Sequence, residues 1–381
     1  MMVTSKNDPD YRQCSLSVMD NIADPNIYFD DKGICNYYYE YKEAEKKGIL
    51  TGREAEMKIS EVVHLLKEKG RNKKYDCIIG VSGGIDSTYL SLKAKEYGLR
   101  VLCVHFDNGW NSELAVKNIE NIVSKCGFDL YTYVIDWVEF KDIQLAYFKA
   151  GVIDIEAVTD IAIFDSLDRI CAEKNVGFIL DGRNICTEQT LPSCWINKNP
   201  NNLYAIHQKF GKIPLNRYPA KFKDGKYLRP RGSYQSIPLL NYLDYNKKKV
   251  KDIIARELGW KDYGGKHYES VFTRFYQGHI LPEKFKVDKR KAHLSNLIFS
   301  GQLTKEEALI ELAKPVYPEG QLEIDKTFVL KKLGFSKEEF AAYINAPSFS
   351  HDLYGNNSDT YQTSYVKARH FLGRIKRKLF S

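Results

Sequence analysis

The chain has 381 residues, an apolar fraction of 43% and a formal charge of +8 at pH 7, which predict a globular protein of one large domain with additions, or of two domains. Its eight cysteines are too sparse for the disulfide scaffold of a small secreted protein. The N-terminus has no apolar run of signal-peptide length, and no stretch of about 18 uninterrupted apolar residues follows. We therefore expect a cytoplasmic protein without membrane insertion, whose positive charge favours polyanionic partners such as nucleotides, nucleotide sugars, RNA or anionic lipid.

The N-terminal segment, residues 1–70, shows two patterns. Residues 11–41 are rich in Asp, Asn, Gly, Pro and aromatic residues without a sustained helical period, which predicts an irregular or small β piece. Residues 54–69 carry apolar side chains at near-helical spacing. We expect this amphipathic stretch to form a helix that leads into the next domain.

From residue 74 onwards, short apolar bursts alternate with longer helical patterns. The bursts lie at residues 76–81, 100–106, 129–135 and 177–180, and the helical patterns lie at 90–97, 112–126 and 157–174. Short strands that are apolar on both faces and alternate with helices predict an α/β fold with a doubly wound parallel sheet. Because ligands of such sheets bind beyond the carboxyl ends of the strands, the residues after each burst are the first candidates for a site.

The chain after residue 192 completes this domain and adds a helical region. Residues 192–234 are polar and aromatic, with Gly, Pro and Asn throughout, and predict substrate-side insertions in a domain that spans 71–275. Helical patterns return at 247–258, 304–312, 328–333 and 337–344. The last three predict a helical C-terminal region over 276–381, which ends in a basic tail at 367–381.

The loop after the first burst, residues 82–88, reads Ser-Gly-Gly-Ile-Asp-Ser-Thr. Two glycines allow close approach of the backbone to a ligand, and the N–H groups of the helix that opens at Ser87 and Thr88 favour an anion such as pyrophosphate. Asp86 beside a phosphate fits a ligand of Mg²⁺. A bare Gly-Gly would fit an ordinary turn, but the longer pattern is more restrictive. A Walker loop is excluded, because its nearest approach, at 259–266, has Gly265 where the lysine belongs.

This loop resembles that of the PP-loop ATP pyrophosphatases, which include asparagine and GMP synthetases and several tRNA-modifying enzymes. The resemblance implies cleavage of ATP between its α and β phosphates. It assigns ATP binding to the loop and to the ends of the second and fourth strands. At the end of the second strand, Asp107 also fits an ordinary turn. These positions are Val81, Ser82, Gly83, Gly84, Asp86, Ser87, Thr88, His105, Phe106, Asp107, Asp181, Gly182 and Arg183.

A closer resemblance covers about residues 11–315. Residues 107–111, 181–184, 288–295 and above all 261–275, Lys-Asp-Tyr-Gly-Gly-Lys-His-Tyr-Glu-Ser-Val-Phe-Thr-Arg-Phe, are similar to the N-acetyl sugar amidotransferases of surface-polysaccharide and sialic-acid-like sugar pathways. That family implies conversion of a sugar acetamido group into an acetamidino group, with ATP and Mg²⁺, in precursors of lipopolysaccharide, O-antigen or flagellar glycan. ATP would adenylate the amide oxygen before ammonia displaces AMP.

This chemistry needs positive charge at the phosphates, and we predict Lys266 and Arg274 for that role, beside Arg183. Glu269 is predicted to position ammonia or Mg²⁺, so the catalytic set is Asp86, Lys266, Glu269 and Arg274. An ion-paired, solvated helix face is the alternative for the last three. Candidate sugar-nucleotide contacts are Asn108, Trp110, Asn184, Trp195, Arg229, Arg231 and Tyr234. The Trp and Tyr side chains would equally serve as packing anchors, and Asn108 also fits an ordinary turn.

The source of nitrogen is not visible in this chain. It begins Met1-Met2 and has no N-terminal cysteine nucleophile or Gly-x-Cys-x-Gly turn. The resemblance implies separate glutaminase and cyclase-like subunits, similar to those of imidazole-glycerol-phosphate synthase, which would pass ammonia to this chain.

The N-terminal piece departs from the family pattern, in which members often carry two Cys-x2-Cys pairs with the spacing of a zinc knuckle. Here Cys14 is followed by Ser17 and Cys35 by Tyr38. Because Ser17 and Tyr38 are poor zinc ligands, we expect no zinc at these positions.

Two other functions stay open. A PP-loop tRNA thiolase or lysidine-type enzyme would suit the basic tail, although Cys186 and Cys194 match no thiolase motif. A non-catalytic nucleotide-binding subunit would retain the fold, but the intact loop argues against it. No nucleic-acid partner is expected.

Overall fold

The computed structural model describes residues 6–228, 234–265 and 268–355. Its strands are β1 (Cys77–Gly80), β2 (Val101–Asp107), β3 (Asp129–Val134), β4 (Phe178–Leu180), β5 (Lys221–Lys223), β6 (Lys226–Leu228) and β7 (Gln235–Ile237). In this part of the chain, the main sheet has the order β3-β2-β1-β4-β7, and each neighbouring pair is parallel. Strands β5 and β6 form a separate antiparallel hairpin.

The α-helices of the described chain, in sequence order, are α1 (Asn36–Gly48), α2 (Gly52–Gly70), α3 (Ile85–Glu96), α4 (Glu113–Cys126), α5 (Trp137–Ala150), α6 (Ala157–Glu173), α7 (Ile185–Glu188), α8 (Pro200–Phe210), α9 (Lys247–Leu258), α10 (Val271–Phe275), α11 (Leu281–Phe285), α12 (Arg290–Phe299), α13 (Lys305–Ala313), α14 (Gln321–Leu333) and α15 (Lys337–Asn345). Short 3₁₀ turns lie at Ser193–Trp195, Leu239–Tyr242 and His351–Tyr354, and a π-helical turn at Tyr276–Ile280 joins α10 to α11. No described helix is long and apolar enough to cross a membrane.

Helices cover both faces of the sheet. Because successive strand residues point to opposite sides, each face has its own core. On one face Cys77 and Ile79 of β1 join a core with α2, α3, α4 and α9. On the other face Ile78 packs with Leu102 of β2 and with Ile170 of α6. The predicted α/β fold with a doubly wound parallel sheet is therefore confirmed.

A third core includes residues of the segment 107–156 and of the helices within 270–355, and we call the packing within and between these two segments the seam. Trp110 and Phe148 each contact Phe272, with ring centroids 5.2 and 6.4 Å apart. Phe148 also contacts Phe335 of the C-terminal helical region, at 5.2 Å. The aromatic residues that are numerous in this chain thus hold the C-terminal region against the sheet domain.

Several elements differ from the sequence prediction. Helix α1 begins at Asn36, inside the stretch predicted to be irregular, although isolated bridges do pair Gln13 with Asp20 and Phe29 with Cys35 before it. Helices α5 and α8 and strand β7 lie where no regular element was predicted. Strand β7 forms because the edge of β4 supplies hydrogen-bond partners to a short polar segment, and a three-residue strand has no periodic signal of its own. The domain boundaries at 70/71 and 275/276 stay a prediction.

Candidate active site

A cleft of about 230 Å³ lies at the carboxyl ends of β1 and β4. Its walls come from the predicted loop, from the segment after β4, from the start of α9 and from the segment before α10. The lining residues are Ser82, Gly84, Ile85, Asp86, Ser87, Asp181, Gly182, Arg183, Thr187, Glu188, Tyr245, Lys247, Tyr263 and Glu269. The cleft thus joins residues that lie far apart in sequence at the edge where ligands of parallel sheets bind.

The loop is held from behind at Gly83. Its φ of +77° lies in the left-handed region, and a Cβ atom there would come within 2.5 Å of the Ala115 carbonyl oxygen, so only glycine fits. The Gly83 carbonyl accepts hydrogen bonds from Trp260 Nε1 (2.9 Å) and from Asn118 Nδ2 (3.3 Å). These bonds fix the back of the loop, and its other side faces the cleft.

Two hydroxyl groups of the loop stabilise the start of helix α3. Thr88 Oγ1 donates to the Gly84 carbonyl at 2.6 Å, and Ser87 Oγ approaches the same oxygen at 3.3 Å. Thr88 is fully buried and does not line the cleft, whereas Ser82 and Ser87 do. The structure thus gives Thr88 a role within the loop in place of the phosphate contact that the sequence predicted.

Asp86, in the first turn of α3, presents its carboxylate to the cleft. Its Oδ1 atom accepts hydrogen bonds from Asn184 Nδ2 (3.2 Å) and from the Tyr245 hydroxyl group. Burial and the neighbouring Asp86 charge raise the pKa of Tyr245, so this hydroxyl stays protonated and donates. Asp86 is therefore oriented from two sides, by the segment after β4 and by the segment before α9.

Glu269 reaches the same cleft because its segment pairs with the chain after β2. The Ser112 N–H donates to the Glu269 carbonyl at 2.9 Å, and the Val271 N–H donates to the Trp110 carbonyl at 2.8 Å. Burial, followed by the charge of the nearby Glu269 carboxylate, raises the pKa of Tyr263. Both side chains lie against the loop, since a Cβ at Gly84 would be 3.3 Å from the Tyr263 hydroxyl oxygen and 3.6 Å from Glu269 Oε1.

Arg183 and Asp181 form an ion pair in the part of the cleft wall that follows β4. Arg183 Nε donates to Asp181 Oδ2 at 2.5 Å, and Ser236 Oγ donates to the same oxygen at 3.0 Å. The hydrogen bond to Asp181 raises the pKa of Arg183, so the guanidinium stays charged. Its side chain is 66% exposed and retains donors that are directed to solvent or to a ligand.

The end of β2 lies beside the loop but does not line the cleft. His105 Nδ1 lies 3.1 Å from the Val81 carbonyl oxygen, and its Nε2 lies 3.1 Å from Asn111 Nδ2. Asn111 also donates to Asp107 at 3.1 Å. This network connects the predicted adenosine-binding segment to the residue before Ser82, while Phe106 stacks on Tyr133 at 5.6 Å.

Arg274 and two tryptophans of the predicted site lie elsewhere. Arg274 forms a bidentate ion pair with Asp325 in the seam, with N–O distances of 2.6 and 2.8 Å. Trp110 and Trp195 are each only 1% exposed, and their indole N–H groups donate to Gln144 and to the Ala23 carbonyl. The structure therefore corrects these three predictions: the tryptophans are packing residues, which was their alternative on sequence grounds, and Arg274 forms an ion pair with a side chain only 15% exposed, not on a solvated helix face.

Of the remaining predicted contacts, some lie behind the residues that line the cleft and the others lie outside the described residues. Asn108 donates to Thr159 at 3.4 Å, and Asn184 caps α7 while it holds Asp86. Tyr234 packs against the core beneath α6, beside Arg183. Lys266, Arg229 and Arg231 lie outside the described residues.

Several cleft residues escaped the sequence analysis. No motif includes Thr187 and Glu188, which follow β4, or Tyr245 and Lys247, which lie just before α9 and at its first position. Only these positions in the fold bring the four residues to the cleft. Tyr263 lies within the specific stretch 261–275, which was the available signal for it.

The metal predictions concern two places. At the cleft, Asp86 and Glu269 fit Mg²⁺, which proteins hold through one or two carboxylates together with phosphates and water. Within the described chain, no group of three or more His, Cys, Asp and Glu side chains forms a metal cage. In the N-terminal piece, Cys14 and Cys35 are buried together, with the Cys35 N–H 3.3 Å from Cys14 Sγ and Ser17 Oγ 4.0 Å from Cys35 Sγ.

Comparison with solved structures gives two similar proteins. NMN synthetase from Francisella tularensis is 15% identical, with a TM-score of 0.37, and the match covers 78% of this chain and 97% of that one. The NH3-dependent NAD synthetase from Campylobacter jejuni is 14% identical, with a TM-score of 0.27, and the match covers 44% and 72%.

Two comparisons of sequence complete the picture. An uncharacterized protein of Methanocaldococcus jannaschii is 23% identical over 321 residues, which cover 80% of this chain and 95% of that protein. Residues 269–368 match the family model described as the C-terminal domain of WbpG-like LPS biosynthesis proteins. The region that begins at the cleft residue Glu269 and continues through the helices of the seam is therefore similar to a domain of lipopolysaccharide biosynthesis proteins.

Proposed function

We propose that this protein is an ATP-dependent amidotransferase that converts the acetamido group of an N-acetylated sugar or nucleotide sugar into an acetamidino group. The observation that carries the proposal is the cleft in which the glycine loop, Asp86 and Glu269 face one another. The match of residues 269–368 to a lipopolysaccharide biosynthesis domain supports a sugar precursor of lipopolysaccharide, such as O-antigen, as the setting.

The first step activates a poor electrophile. The amide oxygen attacks the α phosphorus of ATP, an O–P bond forms, and the bond between the α phosphorus and the bridging oxygen to the β phosphorus breaks. Pyrophosphate leaves with that electron pair, the amide nitrogen loses its proton to solvent, and the sugar carries an O-adenylyl imidate. The loop amides, Ser82 and the start of α3 bind the phosphates, because helix N-termini favour anions.

The second step replaces oxygen by nitrogen. Ammonia adds to the imidate carbon and loses a proton, and the C–O bond then breaks so that AMP departs with the former amide oxygen. Glu269 lies at the loop, where its carboxylate would orient ammonia or accept that proton. Ammonia would come from a separate glutaminase with a cyclase-like subunit.

Charge at the phosphates would be balanced by Arg183 on one wall and by Lys266 beyond the described residues. Mg²⁺ bound by Asp86 would supply Lewis-acid stabilisation of the leaving pyrophosphate. Tyr245 and Asn184 keep the Asp86 carboxylate turned towards the cleft, whatever occupies it.

The test incubates the protein with ATP, Mg²⁺, ammonium and a panel of UDP-, CMP-linked and free N-acetylated sugars. We expect AMP and pyrophosphate to form only when a suitable sugar is present, and mass spectrometry to detect replacement of the amide oxygen by NH in that sugar. Pyrophosphate release that requires tRNA in place of a sugar would favour the tRNA-modifying alternative. Absence of release with every acceptor would favour a non-catalytic subunit.

A further inference from the structure

We propose that Lys247, which no motif singles out, is a further phosphate-binding residue whose ammonium group contacts the β and γ phosphates and the pyrophosphate product. The inference deepens the proposed function, because it assigns one wall of the same cleft. Lys247 is the first residue of α9 and lines the cleft together with Tyr245 and Asp86.

The segment that carries Lys247 is fixed against the loop helix. The Tyr245 hydroxyl donates to Asp86, and the Tyr245 ring meets that of Tyr89 in α3 edge-on, with centroids 6.1 Å apart. Lys247 therefore stands two residues from an anchor on the carboxylate proposed to bind Mg²⁺. Because Lys247 lines the same cleft as Asp86, its side chain would contact an anion bound beside that carboxylate.

Gln302 and Asn246 occupy the backbone donors at the start of α9. Gln302 Oε1 accepts from the Lys247 N–H at 2.8 Å, and Gln302 Nε2 donates to the Tyr245 carbonyl at 3.2 Å. Asn246 Oδ1 accepts from the Lys249 N–H at 3.1 Å. Because these N–H groups are engaged, attraction for an anion on this wall comes from the ammonium group of Lys247 rather than from the helix terminus.

A polyanion that binds in this cleft needs positive charge, because the described lining is rich in carboxylates. Among the described lining residues, four carboxylates, Asp86, Asp181, Glu188 and Glu269, stand against two cations, Arg183 and Lys247. Arg183 is paired with Asp181 in the segment after β4, and Lys247 lies at the start of α9. A pyrophosphate that leaves along the axis of the loop moves away from the α phosphate, and positive charge on the α9 wall stabilises it.

Helix α9 supplies its own controls. Lys248 and Lys249 carry the same charge in the same turn, yet both are exposed and neither lines the cleft. A general effect of net charge on anion binding would therefore appear equally in all three lysines. An effect confined to Lys247 reports contact.

The experiment measures binding of inorganic pyrophosphate and of ATP, each with Mg²⁺, by calorimetry of the full chain without sugar or ammonium. We expect Lys247→Met to weaken both by about 10- to 100-fold, as loss of a charge-assisted hydrogen bond does, and Lys248→Met to change them by less than about twofold. Lys247→Arg should restore part of the affinity. Thermal melts establish that each variant is folded.

The outcomes separate this inference from the proposed function. If Lys247→Met binds pyrophosphate as tightly as the unaltered protein, or if Lys248→Met weakens it equally, the role of Lys247 is refuted, whatever sugar is converted. If Lys247→Met alone weakens binding, but no sugar of the panel reacts with the unaltered protein in the activity test, the phosphate contact stands and the amidotransferase proposal fails. Failure of the unaltered protein to bind ATP or pyrophosphate overturns both.

Discussion

The cleft and the seam both hold charged side chains, but they use them in opposite ways. In the seam, Asp325 is 2% exposed and receives Arg274 in a bidentate pair, Gln321 at 2.8 Å and Tyr317 at 3.3 Å. In the cleft, Asp86 is oriented by Tyr245 and Asn184 and still borders a space of about 230 Å³. Charged side chains in the seam form ion pairs with one another, whereas charged side chains in the cleft border a volume that a ligand can fill.

The contrast explains why neighbours in sequence separate in function. Glu269 and Arg274 belong to one motif-like stretch, but the chain turns into α10 at Ser270, whose side chain caps the helix by accepting from the Thr273 N–H at 3.1 Å. Before that cap the segment lies along the loop. After it, Phe272, Arg274 and Phe275 enter the packing of the C-terminal helices.

The largest expected effect comes from a cleft charge. Asp86→Asn keeps the acceptor for Tyr245 and Asn184 but removes the charge, so ATP-dependent pyrophosphate release should fall by at least about 1,000-fold with the fold intact. Release is measured with the acceptor sugar present, and circular dichroism monitors folding. Asp244→Asn, an exposed carboxylate near the cleft, should retain activity within about twofold. Full activity of Asp86→Asn would remove the basis for placing chemistry in the cleft.

A seam charge should behave in the reverse manner. Asp325→Asn leaves the Arg274 guanidinium, whose side chain is 15% exposed, without a charged partner, and should lower the free energy of unfolding by about 3 kcal/mol. The rate of pyrophosphate release per folded molecule should stay unchanged. Glu323→Gln, on the exposed side of α14, is the control and should alter neither quantity. A loss of rate without a loss of stability would return Arg274 to the catalytic set.

Gly83 belongs to the proposed ATP-binding loop and also packs against Ala115, so its substitution should affect both stability and ATP binding. Gly83→Ala should cost about 2 kcal/mol of stability and abolish ATP binding, because the added Cβ suffers both the positive φ and the approach to Ala115. Gly225→Ala has a nearly identical φ of +75° with no atom within 4 Å, and should cost about 1 kcal/mol without any effect on ATP binding. Equal costs would show that the back of the loop is less tightly held than Trp260 and Asn118 imply.

The smallest expected effect concerns a buried carboxyl group of the seam. Burial raises the pKa of Asp154 to about 7, while Lys289 partly opposes the shift. The folded protein thus binds a proton that the unfolded chain has already lost, so this group's stabilising contribution is present at low pH and is lost as pH rises to about 7. Asp154→Asn should raise the melting temperature by about 2 °C at pH 8 and leave it nearly unchanged at pH 4. A gain that is equal at both pH values would contradict the raised pKa.

The sequence predicted the sheet and the loop well because both are local. Strands β1, β2 and β4 are mostly buried and their sequences are apolar bursts, β3 at the sheet edge is more exposed but still has an apolar sequence, and the loop follows the first burst directly. By contrast, the Trp110 and Trp195 side chains have the same local signature whether they stack on a sugar or fill a core. Their 1% exposure follows from helices that dock onto them, which no spacing in the chain reveals.

The sequence by itself determined an α/β parallel sheet and a glycine loop with Asp86 at the start of a helix, since short-range periodicity and backbone conformation suffice for both. Tertiary structure decided which distant groups meet that loop. Glu269 is placed by pairing of its segment with residues 110–112, and the Tyr263 segment is held by the Lys261 N–H, which donates to Asn118. Tyr245 lies just before α9 and Lys247 at its first position, whereas Arg274 pairs with Asp325 away from the cleft. Apart from the pair of Arg274 and Asp325, which are 51 residues apart, these positions depend on contacts between segments more than a hundred residues apart, and the chain order of the residues does not encode them.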